Sequence, residues 1–239
     1  MAKWMGDPGH GGYDPGAVGP TGLEESQVVL KVMKRWKEIM EAAGEEVRLT
    51  RKDDAFIGLS ERARLANEWG ATYFVSKHEN SCYTESVVGT EVFAFSSGGH
   101  GEKLANCVLD DLIWAGQVSN SRGVKFVNFA VLRETNMPAI LIEGDFISNR
   151  GAESKMRTDE WIEAEARAIA RGCLRYIGKD LPQPKTTPAP QPAKPSKPIE
   201  NNTYFRVVVG SCKERGNAEE VQRKLKQAGF DSFLVAFEK

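Results

Sequence analysis

The sequence has no excess of one charge and no long apolar run. Lys and Arg total 32 against 33 Asp and Glu, so no net charge attracts the chain to polyphosphate or to an anionic bilayer. No apolar run approaches the roughly 20 residues that are needed to span a bilayer. We therefore expect neither nucleic acid as a main partner nor insertion into a membrane.

Cysteine and histidine are also scarce. The chain has four cysteines without a C-x-x-C pair, which indicates neither a thiolate zinc site nor a dense disulfide framework. The first residues, MAKWM, lead into a Gly/Asp motif without the apolar core of a signal peptide, so we expect synthesis in the cytoplasm without a signal peptide. Only three histidines are present, His10, His78 and His100, so a histidine inside a motif is informative.

Proline is concentrated in one segment, where seven of the 11 prolines lie between Pro182 and Pro198. This composition favours an extended, semi-rigid linker. We therefore predict three parts: a main domain over residues 1–178, a linker over 179–200 and a small unit over 201–239. A unit of that size is close to the lower limit for independent folding.

Within the main domain, helical and strand patterns alternate. An apolar helical stripe over Glu25–Ala43 ends at Gly44, and buried strands are predicted at Tyr73–Val75 and Ala139–Ile142. Ser60 is the expected cap of a helix that ends near Gly70. Strands separated by helices predict an α/β fold, a three-layer αβα domain with a twisted, mostly parallel sheet. The tail predicts a small βαβ unit: strands over 204–209 and 230–237 around a helix over 218–228.

Three segments contain candidate site residues. His10 lies in the Gly-rich stretch GDPGHGGYDPGAVG, His78 follows a predicted buried strand, and Glu143 comes directly after four apolar residues. Taken singly, each has a structural alternative: a turn residue, a hydrogen-bonding histidine, or a carboxylate paired with Arg51 or Arg133.

Taken together, two histidines and one carboxylate match a His₂Glu zinc site with an open position for water. Glu24 and Glu25 are the candidate carboxylate ligands. Successive helix residues point about 100° apart, so both cannot face one metal ion. A further glutamate, Glu143, would serve as general base, because burial raises a carboxyl pKa.

Four motifs, DPGHGGYDPGAVG, LTRKDD with LSERARLAN, FVSKHENS, and VLRETNMPAILIEGDFISN, occur in the order and spacing of a known family. The segment 3–178 resembles the zinc-dependent N-acetylmuramoyl-L-alanine amidases of bacterial autolysins and phage endolysins. The resemblance implies a Zn²⁺ cofactor and cleavage of the amide between the lactyl group of N-acetylmuramic acid and the L-alanine of the peptidoglycan stem peptide.

The resemblance also assigns roles. It implies that His10, Glu25 and His78 are the metal ligands and that Glu143 is the catalytic residue. The family's histidine motif reads S-apolar-H-A-N, whereas Lys77 and Glu79 flank His78 here. Because strand side chains alternate, we expect these two to form a surface pair on the opposite face. His100 matches no metal position and is expected to be a solvated loop residue.

The tail resembles about half of a sporulation-related (SPOR) repeat, which implies binding to glycan strands of peptidoglycan. Two other functions stay open: a zinc peptidase of the stem peptide, and a non-catalytic peptidoglycan-binding protein. Without a signal peptide, the protein is expected to act on the cell wall after release, during host-cell or mother-cell lysis.

Overall fold

A computed structural model describes residues 1–181 together with residues 215, 218–219 and 221–223. The chain divides into two units, Met1–Lys185 and Thr186–Lys239, and the fold below is that of the first. Most of the predicted linker and both predicted strands of the tail lie outside the described residues. Of the predicted tail helix, the five described residues, 218–219 and 221–223, are helical.

The first unit contains six strands and six helices among its described residues. Their order along the chain is β1 (Lys3–Pro8), α1 (Glu25–Ala42), β2 (Glu46–Leu49), α2 (Leu59–Trp69), β3 (Tyr73–Asn80), β4 (Thr90–Ala94), α3 (His100–Trp114), β5 (Ser121–Phe126), α4 (Ala130–Arg133), β6 (Ala139–Phe146), α5 (Arg150–Met156) and α6 (Asp159–Tyr176).

The six strands form one sheet in the order β2-β1-β3-β6-β4-β5. All neighbouring pairs are parallel except β4 with β6, which is antiparallel. The segment from β3 to β4, residues 81–89, contains no helix, and parallel strands need a crossover of about a dozen residues or more. A connection this short accounts for the reversed direction of β4. The expected α/β fold with a mostly parallel sheet is confirmed.

Helices cover both faces of the sheet, and the hydrophobic cores on the two faces differ in size. The larger core includes Trp4, Trp36 and Ile140, packed among residues of α1, α3 and α6. The smaller core contains Met5, Phe74 and Leu141 with residues of α2 and α4. In the described part of the chain, no helix is both long and apolar enough to cross a membrane.

Some local expectations differ from the structure. Helix α2 begins at Leu59 after Gly58, without a side-chain cap, so the prediction that Ser60 caps it is wrong. Strand β5 has the sequence SRGVKF, in which charged residues and a glycine replace the apolar alternation by which strands are recognised. Strands β3 and β6 extend past their apolar stretches to Asn80 and Phe146, and these extensions contain His78 and Glu143.

Candidate active site

The loop between β1 and α1 is held by two buried arginines of later segments. Arg51 donates from Nη2 to the carbonyl oxygens of Gly9 (2.7 Å) and Ser26 (2.8 Å). Arg62, on α2, donates to the carbonyl oxygens of Pro8 (2.7 Å) and His10 (2.8 Å). Both side chains are about 97% buried or more. They fix the path of the backbone at His10, where φ is +58°, a value that few residues other than glycine adopt.

The structure brings His10, Glu25 and His78 together from three separate segments. Glu25 Oε1 lies 3.1 Å from His10 Nε2 and 2.9 Å from His78 Nδ1. The two histidine nitrogens are themselves 3.1 Å apart. Three potential ligand atoms therefore form a nearly equilateral triangle.

Glu25 is the first residue of α1 and is buried. Its Oε1 accepts a hydrogen bond from the backbone N–H of Glu79 (3.0 Å), and its Oε2 accepts one from Ala17 (2.9 Å). Burial alone raises the pKa of Glu25. Hydrogen bonds from His10 and His78 outweigh burial and hold this pKa far below its usual range. Glu24 lies outside the cluster, where its carboxylate accepts a hydrogen bond from Gln27 (2.8 Å).

Two carboxylates near His10 favour its positively charged form. His10 Nδ1 lies 2.9 Å from Asp14 Oδ2, so that carboxylate fixes the ring with Nε2 towards Glu25. Burial lowers the pKa of His10, but Glu25 and Asp14 outweigh burial and raise it to about 9. Such a field suits a cation. Two imidazole nitrogens and one carboxylate oxygen are also ligands that zinc takes in proteins.

Glu143 lies directly beside the cluster, opposite His78 in the register of β3 with β6. Its Oε2 is buried without a hydrogen-bond partner among the described residues. Burial, aided by Glu25 and Glu91, raises the pKa of Glu143 to about 7 even though His78 and Lys77 oppose the shift. A carboxyl group with a pKa near neutrality can both accept and donate a proton.

Neither candidate arginine forms an ion pair with Glu143. Arg133 pairs instead with Glu134 at 2.8 Å on the surface, and Arg51 binds the backbone carbonyls described above. The alternative of a Glu143 paired with Arg51 or Arg133 is therefore wrong. His100 is exposed, as expected, but it is the first residue of α3 rather than a loop residue, and its Nδ1 lies 2.8 Å from the Tyr176 hydroxyl.

Lys77 and Glu79 form a buried pair, which corrects the prediction of a surface pair. The two side chains are 0% exposed and 2.6 Å apart, and Glu165 of α6 lies 3.4 Å from Lys77 Nζ. The alternation of strand side chains was predicted correctly, but α6 covers this face of the sheet. Lys77 Nζ also donates to the carbonyl oxygen of His78 (2.9 Å), so the pair supports the strand that contains that histidine.

Asp7 anchors the arginine that holds the His10 loop, a role that was not predicted from the sequence. It pairs with Arg62 Nη1 (2.8 Å) and accepts hydrogen bonds from Thr50 (2.6 Å) and Ser76 (2.7 Å). Burial alone raises the pKa of Asp7, but Arg62 and the two hydroxyls outweigh burial and hold the pKa below its usual range. Its proximity to His10 in sequence was the available indication.

Asp7 should make stability depend on pH. Because the folded-state pKa of Asp7 is lowered, its ionised carboxylate stabilises the fold at pH values above the unfolded-state pKa of about 3.9. This stabilisation is lost as the pH falls from that value through the folded-state pKa. We expect Asp7→Asn to lower the free energy of unfolding by about 2–3 kcal/mol at pH 7. Urea unfolding between pH 7 and pH 3 should show a smaller decline for Asp7→Asn than for the unsubstituted protein. Parallel declines would contradict the assignment.

The sequence and the fold of the first unit are similar to those of known proteins. Residues 5–175 match the family described as N-acetylmuramoyl-L-alanine amidase. The catalytic domain is similar to the amidase AmiC2 of Nostoc punctiforme, with a TM-score of 0.71 and 37% identity over 74% of this chain and 98% of that one. It is similarly close to the catalytic domain of CwlV from Bacillus (Paenibacillus) polymyxa, with a TM-score of 0.71 and 33% identity over 74% and 99% of the two chains.

Two curated relatives match over most of their length. A sporulation-specific N-acetylmuramoyl-L-alanine amidase of Bacillus subtilis is 31% identical over 98% of this chain and 85% of its own. The endolysin of Bacillus phage SPP1 is 34% identical over 86% and 75%. The chain belongs to the N-acetylmuramoyl-L-alanine amidase family and is an enzyme with that activity. Residues 185–236 match the SPOR domain, so both predicted resemblances are confirmed.

Proposed function

We propose that the protein is a zinc-dependent amidase that hydrolyses the bond between the lactyl group of N-acetylmuramic acid and the L-alanine of the stem peptide. The observation that carries the proposal is the convergence of His10 Nε2, Glu25 Oε1 and His78 Nδ1. Atoms bound to zinc at about 2.0–2.1 Å in a tetrahedron lie about 3.3 Å apart. The three separations in the cluster, 2.9 to 3.1 Å, are close to that value.

A zinc ion held by His10, Glu25 and His78 would supply a Lewis acid for the amide carbonyl and would lower the pKa of a water molecule. Glu143 is the group beside the cluster that can accept the proton of that water molecule. With its pKa near 7, it then donates the proton to the departing alanine nitrogen. Within the part of the chain that the structure describes, Glu143 Oε2 has no hydrogen bond to break before it accepts a proton.

The surrounding residues keep the acceptor groups in place. The N–H groups of Ala17 and Glu79 orient the Glu25 carboxylate, and Asp14 sets the tautomer of His10. Arg51 and Arg62 hold the loop backbone through its carbonyl groups. These contacts favour a preorganised site.

Two measurements distinguish the amidase from the alternatives. Purified peptidoglycan treated with the enzyme should release the amino group of L-alanine, identified by dinitrophenyl labelling and mass spectrometry. Release of a different amino group would identify a stem peptidase. Zinc binding without any new amino group would identify a non-catalytic binding protein.

A matched pair of variants tests the metal ligand. Glu25→Gln should weaken zinc binding at least about 100-fold, since loss of even an indirect contact to a metal ligand costs roughly 10–100-fold. Glu24→Gln, at the neighbouring position outside the cluster, should bind zinc with unchanged affinity. Isothermal titration of both metal-free proteins with zinc makes the comparison. Equal affinities would remove Glu25 from the ligand set.

We also propose that residues 201–239 bind glycan strands and that the enzyme acts on the wall after release from the cytoplasm. Tethering raises the local concentration of an enzyme on an insoluble polymer. A protein truncated after residue 185 should sediment less with purified walls than the full chain while cleaving soluble muramoyl peptides at the same rate. Equal sedimentation would contradict the binding role.

A further inference from the structure

A row of charged side chains crosses the sheet away from the candidate metal centre. His78 of β3 is opposite Glu143 of β6, and Glu143 is opposite Glu91 of β4. Beyond Glu91, on β5, lie Arg122 and Lys125. Neighbouring strands are about 4.8 Å apart, so the backbone of β5 runs about 10 Å from that of Glu143.

A β-bulge places both cations on one face. Residues three apart in a regular strand point to opposite faces. Here Thr90 pairs with Ser121 and Val92 pairs with Val124, so one residue of β4 faces two of β5, Arg122 and Gly123. Gly123 has a φ of +82°, which a glycine adopts without strain. The bulge turns Arg122 to the side of Lys125, and both contact Glu91.

The two cations exceed the charge of the carboxylate that they share. Glu91 Oε2 accepts from Arg122 Nε (3.0 Å) and from Lys125, and its Oε1 accepts from Asn80 (2.8 Å). Glu91 is 8% exposed in its side chain, whereas Arg122 and Lys125 are 34% and 41% exposed. One positive charge therefore remains unbalanced within this group of four residues and is accessible to solvent.

The guanidinium of Arg122 is held in place. Its central carbon lies 5.2 Å from the centre of the Phe146 ring, within the range of a cation–π contact. Among the described residues, only Nε of Arg122 donates a hydrogen bond, so its terminal nitrogens can bind a planar acceptor. A fixed guanidinium with free terminal donors is suited to a carboxylate.

We propose that Arg122 and Lys125 form a subsite for a carboxylate of the substrate's stem peptide. The inference rests on the proposed function, because it assumes that the scissile amide lies at Glu143. An extended peptide advances about 3.3–3.6 Å per residue, so the second and third stem residues reach the pair. In a tripeptide stem whose second residue is acidic and linked through its γ-carboxyl, those residues carry a free α-carboxyl and the terminal carboxyl.

Soluble muramoyl tripeptides test the subsite without altering the protein. Three substrates are compared: one with both carboxyl groups free, one with the α-carboxyl of the second residue amidated, and one with the terminal carboxyl amidated. A charged hydrogen bond of ordinary strength makes kcat/KM at least about 10-fold higher for the free carboxylate. The sensitive position identifies which carboxylate is bound. Equal kcat/KM for all three would overturn the subsite.

Variants then connect the preference to the residues. Arg122→Gln should remove most of the roughly 10-fold preference for the free carboxylate over the amidated substrate. Arg48→Gln is the matched control, since Arg48 also stacks on an aromatic ring, Trp69, but lies on β2 at the opposite edge of the sheet. It should keep the preference.

An equal loss on free and amidated substrates in Arg122→Gln would also overturn the proposal. Failure of the proposed function is recognised separately. In that case the unsubstituted enzyme would release no L-alanine amino group from any of the three tripeptides.

Discussion

Glu143→Ala should lose at least about 100-fold in kcat, the usual scale for a residue that transfers a proton. The variant should still bind one zinc ion, because Glu143 is beside the cluster and not part of the three converging atoms. The measurement pairs turnover of a muramoyl peptide with zinc content by atomic absorption. The two values separate a catalytic role from a role in holding the metal.

Glu143→Gln tests whether the carboxylate itself is needed for activity. It preserves the size of the side chain and removes the carboxylate, so it should be as inactive as Glu143→Ala if proton transfer is the role. Glu160→Ala, at an exposed position in the first turn of α6, is the matched control and should keep full activity. Full activity in Glu143→Gln would contradict the assignment, and so would loss of zinc from both Glu143 variants.

Lys77→Met should lower the free energy of unfolding by about 3–5 kcal/mol, the cost of removing one partner of a buried ion pair. Lys77 is fully buried against Glu79 and Glu165. Burial raises the pKa of both carboxyl groups, while the two carboxylates outweigh burial and raise the pKa of Lys77. Without the ammonium group, no positive charge in this cluster compensates them. Urea denaturation at pH 7 measures the loss.

The double variant Lys77→Met/Glu79→Gln separates charge from packing. Neutral side chains of similar size should recover part of the loss, because a buried pair replaced as a unit is often nearly neutral in stability. Lys37→Met is the control, since Lys37 pairs with Glu41 on a single helix and is partly exposed; it should cost less than about 1 kcal/mol. A double variant less stable than Lys77→Met would refute charge compensation.

The sequence predicted the fold well where apolar patterning was strong. The stripe of α1 and the apolar strand Ala139–Ile142 were both recognisable, and the alternation of elements indicated the three layers. Strand β5 was missed because its bulge breaks the alternation and its charged residues face Glu91. Recognising β5 requires knowing how it pairs with β4. The order of residues along the sequence does not contain that information.

The buried polar groups show the same limit. Lys77 and Glu79 were correctly placed on the face opposite His78, yet their burial depends on Glu165, 86 residues further along the chain from Glu79. Gly144 completes this environment, since a side chain there would overlap Lys77 Nζ and Glu79 Oε2. The role of Arg51 and Arg62 likewise consists of bonds to backbone carbonyls, which no side-chain motif specifies.

Those two arginines have a consequence for how the enzyme meets its substrate. Arg51 and Arg62 hold the carbonyls of residues 8–10 from the interior. This part of the loop is therefore held rigidly and is not a lid that closes over the substrate. The conformational entropy of this loop is lost during folding, so substrate binding does not require a further loss. An enzyme built this way does not need to order residues 8–10 when it meets an immobile polymer chain.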